Sequence, residues 1–191
     1  MKIYTGFGDE GDTALFGGQT VKKNNIRVEV YGALNIRVEV YGALDELNSY
    51  IGMLRIKNTD PGVDNILAEI QDELFVVSSE IATPDEKNRK KLKNIIDFEV
   101  VRKKEKHIDK LSEQLDPLKN FILPGGCEAA AFAHIARTVC RRAERNLVPL
   151  ILENGVRKEI IVYLNRLSDL LFVLARYLNK LAGTDDVLWK S

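Results

Sequence analysis

Cysteine and histidine are scarce in this sequence, with two of each in 191 residues. Cys127 and Cys140 are too few for a disulfide framework, and their separation matches no metal-ligand pair. Both are expected to be reduced thiols packed in helices. His107 and His134 stand too far apart in sequence to suggest a metal site. A surplus of charge is also missing: Lys plus Arg and Asp plus Glu both number 28, a formal net charge of zero. Nucleic-acid binders draw affinity from neutralising phosphates and usually carry a basic excess, so nucleic acid is not expected as a partner. No apolar run approaches the ~20 residues that a membrane span requires. The opening MKIYTGFGDEGD has neither the basic nor the apolar region of a signal peptide, which makes the cytoplasm the expected location and a membrane an unexpected partner. No stretch rich in Pro, Gly or Ser divides the chain, so residues 1–191 read as a single domain.

What remains is an ordinary globular balance, 45% apolar and 29% charged, enough to bury a core. Residues 1–24 read as loop, punctuated by Gly6, Gly8, Gly11, Gly17 and Gly18. A duplication follows. NIRVEVYGAL occupies residues 25–34 and recurs unchanged at 35–44. A single short repeat is no solenoid, and a recent tandem duplication of the coding segment, or a sequencing artefact, explains it better. Ten residues advance a helix by about 1000°, leaving the copies roughly 80° out of phase. They cannot present the same face on one straight helix. The second copy, which runs into DELNS, is expected to do the packing, and the first to form an insertion. IRVEVY also alternates with period two, so a local strand or hairpin stands as an alternative.

Helical periodicity is plain from Tyr41 onward, with Leu44, Leu47, Ile51 and Leu54 on one stripe. Asp45 and Asn48 lie on the adjacent stripe. Asn58, Pro61 and Gly62 stop this helix. A second is expected over 63–82 with Asp64 as its cap, and a third over 98–115 with Val101, His107, Ile108, Leu111 and Leu115 inward. A fourth fits 128–153 with Pro149 as a kink, and a fifth fits 158–181. The fifth is apolar on nearly all sides, as a central or interface helix is. Five helices with short links and almost no strand signal predict an all-α five-helix bundle.

Three segments interrupt this pattern with polar groups. In ARTVCRRAER, Arg137, Arg141, Glu144 and Arg145 share one helical face, with Arg142 beside them. Arginine suits bidentate binding of phosphate oxygens, although a solvated face with i,i+4 pairs is the plainer reading. In YLNRLSDLLF, Asn165, Arg166, Ser168 and Asp169 break an apolar helix. Buried unpaired, such groups cost a few kcal/mol each, on the order of 2–7 for an amide or hydroxyl, so they belong to a structural network or line a pocket. The loop TGFGDEGDT offers backbone N–H groups and the hydroxyls of Thr5 and Thr13, with Lys22 and Lys23 behind it. It is neither a Walker A loop nor a dinucleotide fingerprint, and a surface turn would also account for it. Phe121, in FILPGG, sits before a rigid turn, and core packing would explain it equally well.

Taken in order, these segments resemble the PduO-type ATP:cob(I)alamin adenosyltransferases. The family pattern TGxGDxGxT is met at residues 5–13, RVxxYGxxDELNS at 37–49, FxLPGG at 121–126, ARTVxRRAER at 136–145 and YLNRLSDxLF at 163–172. The resemblance implies a five-helix bundle assembled as a homotrimer. It implies transfer of the 5′-deoxyadenosyl group of ATP to cob(I)alamin, with Mg²⁺ accompanying the nucleotide and cobalamin as second substrate. By the same analogy Thr5, Gly6, Phe7, Gly8, Thr13, Lys23 and Arg141 would bind phosphates. Glu144, Arg145 and Asn165 would hold the nucleotide and its Mg²⁺, with Arg142 a further candidate. Asp45 and Arg137 match a pair that bridges neighbouring subunits. Phe121 matches the aromatic that displaces the lower axial ligand of cob(II)alamin, and Asp169 an acid near the arginine helix. A reductase and a cobalamin-dependent acceptor enzyme are further expected partners. Many relatives carry a lysine in the N-terminal loop where this chain has Gly6 or Glu10, and the duplicated decapeptide lengthens the link behind that loop. The alternative is a non-catalytic bundle that binds nucleotide or corrinoid as a sensor or carrier.

Overall fold

Side chains that recur every three or four residues wind into five long helices and one short one in the computed structural model, which describes residues 12–14, 20–22, 32–83, 85–152 and 156–189. The helices are α1 (Gly32–Lys57), α2 (Pro61–Ala82), α3 (Glu86–Arg89), α4 (Phe98–Ser112), α5 (Glu128–Leu152) and α6 (Lys158–Leu181). Two small antiparallel ribbons accompany them: β1 (Asp12–Ala14) pairs with β2 (Thr20–Lys22), and β3 (Ile122–Leu123) pairs with β4 (Val187–Leu188). The all-α bundle expected from the periodicity is thus the observed architecture.

The α5 helix packs against both α1 and α6, α4 lies on α6, and α2 lies on α1. Helix α6 is central. Ile160, Tyr163, Leu164, Leu167, Leu170, Leu171, Leu174, Ala175 and Leu178 are all buried, which is what a helix apolar on most sides requires.

Helix α1 begins at Gly32, well ahead of the expected start at Tyr41. The whole second copy of the decapeptide is therefore helical, and the strand alternative fails for it. Arg37, Val40, Ala43 and Leu44 turn into the core and continue the stripe of Leu47, Ile51 and Leu54. Arg37 donates from Nη1 to the carbonyl of Ile81, one of the carbonyls that the end of α2 leaves without a helical partner. Only residues 32–34 of the first copy fall within α1. Residues 25–31, the rest of the first copy, lie outside the described residues.

The cap of α2 is Asp60, not Asp64. Asp60 Oδ1 accepts from the Val63 N–H at 2.7 Å, and Pro61 opens the helix, where a missing N–H costs nothing. Asp64 instead takes the Arg55 guanidinium through two parallel hydrogen bonds of 2.8 and 2.9 Å, tying the end of α1 to the start of α2. Helix α4 is capped by Asp97, which accepts from Glu99 and Val100 N–H. It ends at Ser112 rather than 115.

A buried ionic cluster joins α2, α4 and α6. Lys104 has no solvent exposure at all, and its Nζ lies 2.6 Å from Glu69 Oε1 and 2.9 Å from Glu73 Oε1. The Tyr163 hydroxyl donates to Glu73 Oε2 at 2.8 Å. A buried ammonium is tolerable only when paired and hydrogen-bonded in this way. Burial pushes the Glu73 carboxyl up to about 7 against the pull of Lys104. Glu69 is also desolvated, but Lys103 and Lys104 both reach it and hold it below the ordinary carboxylate range.

Candidate active site

The α5 face that carries the arginines is built by helical spacing, as expected, but its members meet different fates. Arg137 is half-buried, and its Nε is enclosed with no hydrogen-bond partner among the described residues. Burial, with the neighbouring Arg141 charge adding to it, lowers the pKa of this guanidinium, the sign of a cation short of counter-charge. Arg141 and Arg145 are exposed and form no ion pair with the described residues. Arg142 lies to the side and is held by Glu46 of α1. Asp45, next to Glu46, is exposed, and its carboxylate has no ion pair among the described residues, Arg137 included.

Helix α6 supplies the neighbouring polar groups. Asn165 Nδ2 donates to Glu144 Oε1 at 2.9 Å, joining α6 to the arginine face. Ser168 turns its hydroxyl back to the Asn165 carbonyl. Arg166 donates to Glu105 of α4 at 3.0 Å and to Asp169 at 2.7 Å. Asp169 thus has its ion pair on its own helix. Cys140, buried between these helices, donates to the Leu164 carbonyl at 3.2 Å, and burial raises its thiol pKa well above the usual range. Both cysteines are free, as expected.

Phe121 is not a core residue: its side is 79% exposed. The loop that carries it is nonetheless clamped. Gly126 has φ +102°, and a Cβ there would come within 2.1 Å of Asn179 Oδ1, so only glycine fits both the backbone and the contact. Asn179, 2% exposed, accepts from Cys127 N–H at 2.9 Å and donates to the Gly125 carbonyl and Asp186 Oδ1 at 3.2 Å each. Asp186 is held in turn by Arg176 at 2.7 Å. Beyond Asp186 the chain forms β4, paired with the β3 strand that follows Phe121. The sequence reading missed Asn179, Arg176 and Asp186. The available signal was an asparagine breaking the inward stripe of the fifth helix directly after Leu178.

His134, set aside above as a metal ligand, lies close to Arg137 on the same helix. It is 3% exposed, sits one turn before Arg137, and meets the Phe172 ring edge-on at 6.2 Å. Neither ring nitrogen has a partner among the described residues. Burial and then the Arg137 charge keep its pKa low, while Asp186 is close enough to act in the opposite direction. No group of three or more His, Cys, Asp or Glu suited to a metal occurs among the described residues. Thr13 falls in β1 opposite Val21. Thr5, Gly6, Phe7, Gly8 and Lys23 lie outside the described residues.

The helical bundle thus carries Arg137, Arg141 and Arg145 without an ion pair among the described residues and, on a clamped ribbon, an exposed aromatic, Phe121. The chain belongs to the cobalamin adenosyltransferase family, whose model matches residues 3–36 and 34–178. The two stretches overlap at the junction of the doubled decapeptide, as they should if one ancestral segment is present twice. The chain is 41% identical to the corrinoid adenosyltransferase of Bacillus subtilis over 191 residues, covering 98% of this chain and 91% of that protein. It is 43% identical over 176 residues to the corrinoid adenosyltransferase PduO of Salmonella typhimurium, covering 92% of this chain but 49% of that protein, so it spans about half of that relative's length. Among solved structures, it is similar to a phenylalanine-to-alanine variant of the PduO-type ATP:corrinoid adenosyltransferase from Lactobacillus reuteri complexed with cobalamin and ATP. That likeness has a TM-score of 0.85 and 36% identity, covering 100% of both chains. An arginine-to-lysine variant of the same enzyme complexed with ATP gives a TM-score of 0.84 at 35% identity.

Proposed function

We propose that this chain transfers the 5′-deoxyadenosyl group of ATP to cob(I)alamin, giving adenosylcobalamin and triphosphate. The observation that carries this reading is the state of the α5 face: Arg137 Nε is enclosed without a partner, and Arg141 and Arg145 have no counter-ion among the described residues. Guanidinium groups left unneutralised on a rigid helix suit a triphosphate.

The chemistry asks little else of the protein. Co(I) is itself a strong nucleophile, so no general base is required. Its electron pair forms the Co–C5′ bond while the C5′–O bond breaks, and the oxygen leaves with its pair as triphosphate. The protein aligns C5′ with cobalt and stabilises the growing charge on the leaving group. Arg141 and Arg145 serve the second task, with Arg142 beside them, and by the family resemblance Thr5, Gly6, Phe7, Gly8, Thr13 and Lys23 are further phosphate binders. Glu144, oriented by Asn165, is the carboxylate on this face that fits a Mg²⁺ ion held chiefly by phosphate oxygens.

The chain works as a homotrimer in which Asp45 of one protomer meets Arg137 of the next. Their lack of a mutual ion pair within one chain supports that arrangement. Phe121 covers the lower face of cob(II)alamin, where removing the axial ligand lowers electron donation to cobalt and eases reduction. Its exposed ring suits contact with a large substrate. Asp169 supports the site by holding Arg166. A reductase supplies the electron and a cobalamin-dependent enzyme accepts the product, in the cytoplasm.

The test is spectroscopic. Protein, ATP, Mg²⁺ and chemically reduced cobalamin, mixed anaerobically, are expected to yield adenosylcobalamin. Folded protein that binds ATP but forms no product would instead support a sensor or carrier.

A further inference from the structure

We infer that Trp189 is a positioning residue that holds the Phe121 ring in place for the cob(II)alamin step, an inference that rests on the function proposed above. The β3–β4 register pairs Ile122 with Leu188 and Leu123 with Val187. Extending it by one residue sets Phe121 directly across from Trp189. The Trp189 N–H donates to the Phe121 carbonyl at 2.8 Å. The two rings meet edge to face, 6.3 Å between centroids with a 67° angle between planes, the arrangement aromatic pairs prefer.

This contact matters because Phe121 has little else to hold it. A ring with 79% of its surface exposed and two free side-chain torsions samples several rotamers, whereas excluding an axial ligand requires one. A two-residue ribbon is also too short to stand alone. Here it is rigid because both ends are tied to α6: one through Asn179 at Gly125 and Cys127, the other through Asp186, which both Asn179 and Arg176 bind. The clamp fixes the backbone of the ribbon. The edge of Trp189 then selects the direction of the Phe121 ring. Trp189 is itself half-exposed, at 50%, and is not a member of the buried core.

Trp189 is the only tryptophan in the chain, which gives the inference a direct optical readout. Trp189→Ala and Trp189→Phe in the full-length chain are to be assayed from two starts: cob(II)alamin with an added one-electron reductant, and cob(I)alamin reduced beforehand. Trp189→Ala is expected to lower the rate from cob(II)alamin about five-fold more than the rate from cob(I)alamin, the scale of one aromatic pair. Trp189→Phe is expected to recover most of that difference, since a second ring edge remains. In the unaltered protein, cob(II)alamin added with ATP is expected to quench tryptophan emission, and ATP alone to leave it. Equal losses from the two starts, no loss, failure of Trp189→Phe to recover at an unchanged melting temperature, or emission indifferent to cob(II)alamin would each overturn the inference. Unaltered protein that makes no product from cob(I)alamin would sink the proposed function itself. Product from unaltered protein, with a normal ratio in Trp189→Ala, would sink this inference alone.

Discussion

Two polar regions interrupt the apolar helices, and they are finished differently. In the Lys104 cluster every charge has its partner inside the chain: the ammonium has two carboxylates, and the deeper carboxylate also has a tyrosine hydroxyl. On the α5 face Arg137 keeps an enclosed, unpartnered Nε, and Arg141 and Arg145, like Asp45 of α1, have no ion pair among the described residues. Desolvation penalises both regions. A region that completes itself holds helices together. One left incomplete is completed by something outside the chain, and here the two candidates are a nucleotide and a second protomer.

The contrast breaks most sharply at Lys104. Lys104→Ala leaves the partly buried Glu73 without its cation and Glu69 with only the exposed Lys103, and is expected to destabilise the fold by about 3–5 kcal/mol, seen as a lower denaturant midpoint. The activity of the protein that remains folded should be intact. Arg141→Ala should do the reverse. Turnover is expected to fall by about 10²–10³, the scale of losing one preorganised contact to a developing anion, with the melting temperature unchanged. If Arg141→Ala unfolds the protein, or Lys104→Ala abolishes activity in folded protein, the division between the regions fails.

Next in size is a pH effect. Burial raises Glu73 above its unfolded value to about 7, so its contribution to stability is full below the unfolded pKa, near 4.3, and is lost as pH rises through about 7. The slope cannot exceed about 1.4 kcal/mol per pH unit for one proton. Glu73→Gln should flatten the fall of melting temperature across that window. An unchanged slope would show that Glu73 stays ionised beside Lys104. The smallest expected effect concerns the repeat. Because the copies are identical, removing 25–34 or 35–44 gives the same polypeptide, in which one decapeptide supplies the packing now made by Arg37, Val40 and Leu44. The melting temperature should stay within a few degrees of the parent's, on the order of ΔΔG below 1 kcal/mol. The KM for ATP should fall by no more than about three-fold, since halving a link recovers only ~0.6 kcal/mol of closure entropy. A collapse in stability would mean that the first copy also packs.

Much of this was legible beforehand. The stripes of α2, α5 and α6 announced their helices because helical period is written locally, and the arginine face followed from spacing alone. Other features were hidden. Lys104 reads as one more cation in a charged helix, since nothing nearby in sequence reveals that Glu69, Glu73 and Tyr163 surround it. Asp60 and Asp64 both stand within three residues of Pro61, and only the contacts they make, Asp60 with the Val63 N–H and Asp64 with Arg55, separate the cap from the ion pair. The first turns of α1 are hidden in the sequence because IRVEVY has a strand's alternation. Packing of Val40 and Leu44 on the bundle overrides it.

The sequence by itself determined the helical class, the five long helices, the family and the set of arginines on one face, because each depends on residue type and spacing along a single segment; the short α3 and the ribbons β1–β2 and β3–β4 were not legible in it. Tertiary structure alone decided which charges are satisfied, that Phe121 is exposed rather than buried, and that Trp189 stands across from it. Those depend on groups far apart in the chain, Cys127 with Asn179 and Phe121 with Trp189, brought together only when α5 packs on α6. Periodicity orients a side chain on its own helix but says nothing of what it meets.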